Sequence, residues 1–269
     1  MTALLRLSKV SVAFGGVKAV DNVSFDVHPR EVLAVIGPNG AGKSTLLNAI
    51  CGSVRRSTGE ILLEGVPLAG KACDVARLRL ARSFQHPRLL LEETVRENLL
   101  LGLMAYERRP ILARLGLARL GLANASAADA ERGSVAAVAA VADAFQLTGL
   151  LDTCCGHLPY GTQKLVDIAR AFVGQPRLVL LDEPSSGLDN TETLRFGAMI
   201  QRIATERGLT LLVVEHDMEL VRQLGDRVLA LEAGAVAAQG ATHEVLNSLG
   251  LARTLMGLSA NGDAAPTLH

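Results

Sequence analysis

Gly37-Pro38-Asn39-Gly40-Ala41-Gly42-Lys43-Ser44 follows an aliphatic run, Glu31–Ile36, and leads into a segment of helical character, Lys43–Ile50. The octapeptide fits the pattern G-x-x-x-x-G-K-[ST] at every fixed position. It also has the setting that pattern requires, a strand before it and a helix after it. Glycines let backbone N–H groups turn inward around phosphates, and the positive end of the helix dipole adds to the attraction. In such a loop the Lys43 ammonium reaches the β- and γ-phosphates and the Ser44 hydroxyl ligates Mg²⁺. With Thr45, the nine residues from Gly37 onward are the candidate nucleotide contacts. A loop of this kind serves kinases, GTPases and ATPases alike. No Asn-Lys-x-Asp guanine-specificity motif follows it, which argues against a GTPase.

Working outward, Leu5–Val12 and Val23–Val27 read as short strands with Phe14-Gly15-Gly16 as a turn between them, and Ser57–Leu63 as a turn and strand. Leu178–Leu181 and Thr210–Val214 are short apolar runs, the pattern of parallel strands buried on both faces. Helical segments follow them at Thr193–Thr205 and Met218–Leu224, and Val228–Ala230 with Val236–Ala237 reads as a final hairpin around Ala233-Gly234. From about Pro87 to Leu150 the chain is rich in Leu, Ala and Arg with no strand pattern, and Val95–Tyr106 and Val135–Leu147 fit helices. This stretch reads as a helical subdomain inserted into an α/β core. Within it Leu-Ala-Arg-Leu-Gly occurs twice, at Leu112–Gly116 and Leu117–Gly121, too short a repeat for a solenoid.

Composition narrows the classes. Among 269 residues, 27 Lys+Arg balance 27 Asp+Glu, so a broad nucleic-acid face is not expected. Aromatics make up 3% with no Trp, which disfavours stacking platforms. The nearest approach to a membrane span, Ile111–Ala123, is broken by Arg114 and Arg119 well short of about 20 residues. Met1–Val10 carries Arg6 and Lys9 and does not read as a signal peptide. Cys51, Cys73, Cys154 and Cys155 lack metal-ligand spacing, and free thiols in a reducing cytoplasm are the expectation. The whole reads as a soluble intracellular protein.

Two further stretches carry chemistry. Val179-Leu180-Leu181-Asp182-Glu183 puts two carboxylates at the C-terminal end of a buried strand, where an open α/β sheet places its ligands. Asp182 suits a metal held through water, and Glu183 suits a base for an attacking water, although an acidic strand end is common in itself. Leu158-Pro159-Tyr160-Gly161-Thr162-Gln163 precedes a helical run from Lys164 to Phe172. It reads as a helix N-terminus with Pro in the first turn and a Gly able to approach an anion closely.

Taken together, the phosphate loop, Gln85, the Leu158–Gln163 stretch, Leu181-Asp182-Glu183-Pro184, Ser186-Gly187-Leu188-Asp189 and Glu215-His216-Asp217 resemble, in order and spacing, the ATPase cassette of ABC transporters across about residues 4–245. The finer resemblance is to the ATP-binding subunits of bacterial branched-chain amino-acid importers. It rests on Phe14-Gly15-Gly16-Val17-Lys18-Ala19-Val20-Asp21, on Met218 after Asp217, on Tyr160 and on the long insertion after Gln85. The implied fold is a P-loop NTPase α/β cassette. It has a mixed sheet core, an antiparallel β subdomain and a helical subdomain inserted at about 87–172. A short C-terminal extension at 246–258 resembles the amino-acid branch only loosely, lacking its usual Asp-Pro pair, and 259–269 reads as a disordered tail.

The resemblance also implies roles. Phe14 would stack on adenine; Gln85 would sense Mg²⁺ and the γ-phosphate; Glu183 would polarise the attacking water; His216 would contact the γ-phosphate, and Lys43 would complete the catalytic set. Gly161 would cover the γ-phosphate of a partner subunit's ATP, and Asp189 would pass between the two sites. Ser44, Gln85 and Asp182 form the implied Mg²⁺ set. The implied partners are a second cassette, identical or not, two transmembrane permease subunits and, indirectly, a periplasmic or extracellular solute-binding protein, with no nucleic acid. The chain would sit at the cytoplasmic face of the inner membrane. Other members of the class import urea, amides or other small solutes, and soluble ABC ATPases act in DNA repair or translation, usually with two cassettes or long coiled coils. Two departures stand out: Pro159 replaces the usual Ser and Thr162 the usual Gln, so one hydrogen bond to the γ-phosphate, about 0.5–1.5 kcal/mol or more, is lost. Where the amino-acid branch often has Asn-Pro, the chain reads Asp189-Asn190, the broader cassette pattern. The insertion Leu101–Ala130 fits either an amphipathic helical hairpin or, through Arg108, Arg109, Arg114 and Arg119, a permease-docking or membrane-surface element.

Overall fold

A computed structural model describes residues 2–68, 75, 78–104 and 125–248, with side chains throughout except at 125–131. Its elements are β1 (Leu5–Phe14), β2 (Val17–Val27), β3 (Val32–Ile36), α1 (Lys43–Ile50), β4 (Thr58–Leu63), β5 (Val66–Pro67), β6 (Leu80–Arg82), α2 (Val95–Met104), α3 (Ala125–Ala144), α4 (Tyr160–Val173), β7 (Leu178–Asp182), α5 (Asn190–Arg207), β8 (Thr210–Val214), α6 (Met218–Leu224), β9 (Arg227–Glu232), β10 (Ala235–Ala241) and α7 (Thr242–Asn247). The expected insertion core at 105–124, the greater part of the extension, the 259–269 tail and Cys73 lie outside the described residues.

Two sheets form. The smaller is antiparallel in the order β2-β1-β4-β5, and the larger is mixed in the order β10-β9-β3-β8-β7-β6. From β9 to β6 the neighbours pair in parallel, and only β10 runs antiparallel at one edge. Every residue of β3, β7 and β8 is buried, as continuous apolar runs covered on both faces require. Alternation along β7 divides the core. Leu178 and Leu180 face α1 and the antiparallel sheet, whereas Val179 and Leu181 face α2 to α6. A third cluster joins Ile36 and Val228 to Val245 and Leu246 of α7.

Parallel pairing has one consequence for the site. The C-terminal ends of β6, β7, β8 and β3 lie along one edge of the sheet, so whatever follows each strand meets there. The sequence pattern does not announce β6, whose three residues pair with Leu178–Leu180 of β7. The helix expected over Val135–Leu147 spans Ala125–Ala144, a lengthening consistent with its Ala-rich sequence. Pro159, expected inside the first turn of its helix, is instead the N-cap, with φ −55° and ψ 151°.

Candidate functional site

The loop between β3 and α1 owes two of its glycines to packing. A Cβ on Gly37 (φ 152°) would lie 2.2 Å from the carbonyl oxygen of Leu231, and one on Gly42 (φ 96°) 2.2 Å from that of Ala19. Gly40 differs: at φ 80° it needs glycine for its backbone, yet among the described residues nothing lies within 4 Å of its Cβ position, and the crest of the loop is open on that side. Gly42 is the N-cap of α1 and supplies no side-chain acceptor, leaving the first amides of the helix available to an anion. The Lys43 ammonium folds back into the loop, donating to the carbonyls of Gly37 at 2.7 Å and Pro38 at 3.0 Å. Burial holds its pKa below the ordinary lysine value, against the opposing pull of Glu183 and Asp182. Ser44 is exposed and Thr45 half-buried beside it.

Two residues that follow different strands converge on the carboxylate of a third, which follows the strand between them. Gln85 Nε2 donates to Glu183 Oε2 at 2.5 Å, and His216 Nε2 lies 2.8 Å from Glu183 Oε1. With Glu183 ionised, the second contact requires the proton on Nε2. Glu183 itself is in the left-handed region, at φ 48°, a conformation that costs a non-glycine residue about 1–3 kcal/mol and persists only where its surroundings over-determine it. Here its N–H donates to the Val214 carbonyl at 2.9 Å and its own carbonyl accepts from Lys164 at 2.8 Å. Glu215, buried beneath, accepts from the N–H groups of Ser185 at 2.8 Å and His216 at 2.9 Å, tying the loops after β7 and β8 together. Asp182 is buried and paired: its Oδ2 takes a hydrogen bond from Arg82 at 2.7 Å, and Arg82 reaches Asn48 Oδ1 of α1 at 2.6 Å.

The remaining expected residues lie apart from this cluster. Phe14 ends β1 and is 53% exposed. Gly161, in the first turn of α4, has Glu192 and Leu188 as nearest neighbours. With Pro159 as N-cap, the first-turn amides of α4 have no side-chain acceptor among the described residues. Asp189 caps α5: it accepts from the Glu192 N–H at 2.7 Å, while Glu192 accepts from the Asp189 N–H at 3.0 Å. This capping box predicts that Asp189→Ala destabilises the protein by about 0.5–2 kcal/mol, read as a lower midpoint in chemical denaturation. Arg82, Lys164 and Asp167 were not found from the sequence as site residues, and Glu215 was read only within the Glu215-His216-Asp217 motif, without a role. For Lys164 a signal existed, since it heads the i, i+4, i+8 stripe of Ile168 and Phe172 that α4 buries.

Residues 20–186 match the family model described as ABC transporter. The chain is 34% identical to the high-affinity branched-chain amino acid transport ATP-binding protein LivG of Escherichia coli (strain K12), over 94% of this chain and 98% of that protein. It is 32% identical to the corresponding protein BraF of Pseudomonas aeruginosa, over the same shares. Among solved structures, the ADP conformation of MJ1267, an ATP-binding cassette of an ABC transporter, superposes with a TM-score of 0.81 at 27% identity, covering 96% of this chain and all of that one. Loop, sheet edge and sequence relationships agree, and the chain belongs to the ABC transporter family, whose ATPase cassette it carries.

Proposed function

We propose that this chain is the ATP-hydrolysing subunit that energises an importer of branched-chain or other hydrophobic amino acids. The observation that carries the chemistry is the Glu183 carboxylate, held between Gln85 and His216 at the sheet edge to which Lys43 also belongs. Glu183 takes a proton from the attacking water. The new oxygen–phosphorus bond forms as the bond from the γ-phosphorus to the β–γ bridging oxygen breaks, leaving ADP and phosphate. Lys43, already among the loop carbonyls, exchanges them for phosphate oxygens, and His216 turns its Nε2 proton from Glu183 toward the developing charge. Mg²⁺, when bound, offsets the phosphate charge. Ser44, Gln85 and, through water, Asp182 would hold it. Ser44 is exposed at the helix start, and Oδ1 of Asp182 has no hydrogen-bond donor among the described residues.

The bare first turn of α4 supports a composite site. Gly161 and the neighbouring amides suit the γ-phosphate of a second cassette, and Phe14 suits the adenine of its own. ATP then closes a dimer and hydrolysis reopens it. The names of the relatives support amino-acid import, and with it permease subunits and placement at the cytoplasmic face of the membrane. Among the described residues no helix is long and apolar enough to cross a membrane. To test the assignment, tagged Glu183→Gln protein with ATP and Mg²⁺ is captured from detergent-solubilised membranes of its own organism and the associated chains are identified by mass spectrometry. Two hydrophobic permease subunits and a cassette partner are expected; soluble partners alone would overturn the importer reading.

A further inference from the structure

Two buried charges on α4, Lys164 and Asp167, have no part in the chemistry described so far, and each grips a loop that carries one member of the Glu183 cluster. Lys164 Nζ donates to the carbonyl oxygens of Glu183 at 2.8 Å and Ser186 at 2.5 Å. Asp167 accepts from the N–H groups of Phe84 at 3.3 Å and Arg88 at 3.2 Å, on either side of Gln85. Tyr160 adds a third contact, its ring so close to Gly187 that a Cβ there would stand 2.8 Å from Cε1. Glu183 and its hydrogen-bond donor Gln85 therefore both hang from the helix that carries Gly161.

We propose that Lys164 is a positioning residue for hydrolysis: its ammonium fixes the backbone of Glu183 and Ser186, so that the rigid helix facing the partner's nucleotide also aims this chain's own carboxylate. The inference rests on the reading of the chain as a dimeric ATPase. Its physical basis is the left-handed backbone of Glu183, which does not hold its conformation unaided. Charge-assisted bonds from one ammonium to two carbonyls three residues apart supply that restraint. A lysine only 1% exposed is an expensive way to fill this space, since an apolar side chain packs there without desolvating a charge. What the apolar side chain lacks is the grip on the loop. Burial brings the Lys164 pKa down to about 8, against the opposing pull of Glu215 after β8, Glu183 after β7 and Asp167 on its own helix. The fully charged clamp is therefore present below that pH and weakens as pH rises through it.

The test compares Lys164→Met and Lys164→Arg with the wild type, as full-length chains in the assembly state in which the wild type turns over ATP. Lys164→Met is expected to lower kcat by about 10- to 100-fold, the scale of a small misplacement of a catalytic group. Its affinity for a ribose-labelled fluorescent ATP should be unchanged, because Lys164 does not touch the Gly37–Ser44 loop. Lys164→Arg is expected to retain turnover. In the wild type kcat falls as pH rises through about 8; in Lys164→Arg that fall moves to higher pH, because guanidinium stays charged. Lys43 titrates in both proteins and cannot produce the difference. Wild-type kcat in a folded Lys164→Met, or a basic limb that does not move in Lys164→Arg, would overturn the proposal. Should Lys164→Met not fold, the pH profile of Lys164→Arg decides alone. A wild type without ATPase activity would instead refute the underlying reading.

Discussion

Glu183→Gln is expected to bind ATP as the wild type does and to hydrolyse it about 10²- to 10⁴-fold more slowly, the range that general base catalysis supplies. The substitution keeps the shape of the side chain and removes its ability to take a proton from water. The local geometry also tolerates it. Gln85 donates to Oε2, so the amide oxygen remains there, and the new NH₂ meets His216 Nε2. A neutral imidazole with its proton on Nδ1 accepts that hydrogen bond, and the cluster survives through a change of tautomer. The loss is therefore one of chemistry and not of folding. With binding intact and turnover absent, the ATP-bound dimer accumulates. Phosphate release at saturating ATP reads the first effect, and size-exclusion chromatography with ATP and Mg²⁺ reads the second. Undiminished phosphate release would remove Glu183 as the base.

The same cluster marks the boundary of what the sequence discloses. β8, α1 and α6 form over the stretches their patterns indicate, Thr210–Val214, Lys43–Ile50 and Met218–Leu224. Their signals are local: four apolar residues between Thr210 and Glu215, or a glycine-ended loop before a helix. α5 starts at Asn190, three residues before the expected Thr193, because the Asp189–Glu192 capping box sets its start. β6 escapes because Leu80-Ala81-Arg82 becomes a strand only through its pairing with β7. Motif order identifies Gln85, Glu183 and His216 singly. That they share one carboxylate follows from the parallel neighbours β6, β7 and β8 ending at one edge, which is a property of topology. Arg82 is hidden for a different reason. A lone basic residue is ordinarily solvated, and nothing in the chain records that burial and a partner await it.

Arg82→Met is expected to destabilise the fold by about 3–5 kcal/mol, the cost of stranding a buried charge. Arg82 and Asp182 expose only 12% and 8% of their side chains, so water does little to compensate either. The guanidinium also joins α1 to the sheet through Asn48 and packs over the Phe84 ring with its carbon 5.6 Å from the centroid. Methionine replaces some of that packing but none of the charge, leaving Asp182 without its counter-ion at the end of β7. Against a total stability of about 5–15 kcal/mol this is a large fraction, and it should appear as a fall in thermal midpoint on the order of 10 °C. Arg82→Met combined with Asp182→Asn should recover much of the loss, because no unpaired charge then remains. That recovery distinguishes two roles for the pair. If the double variant is as stable as the wild type yet does not turn over ATP, the ion pair contributes little net stability, and its purpose is to hold the Asp182 carboxylate in place beside Glu183. If the double variant stays as unstable as the single, the pair and its link to Asn48 are part of what holds α1 to the sheet.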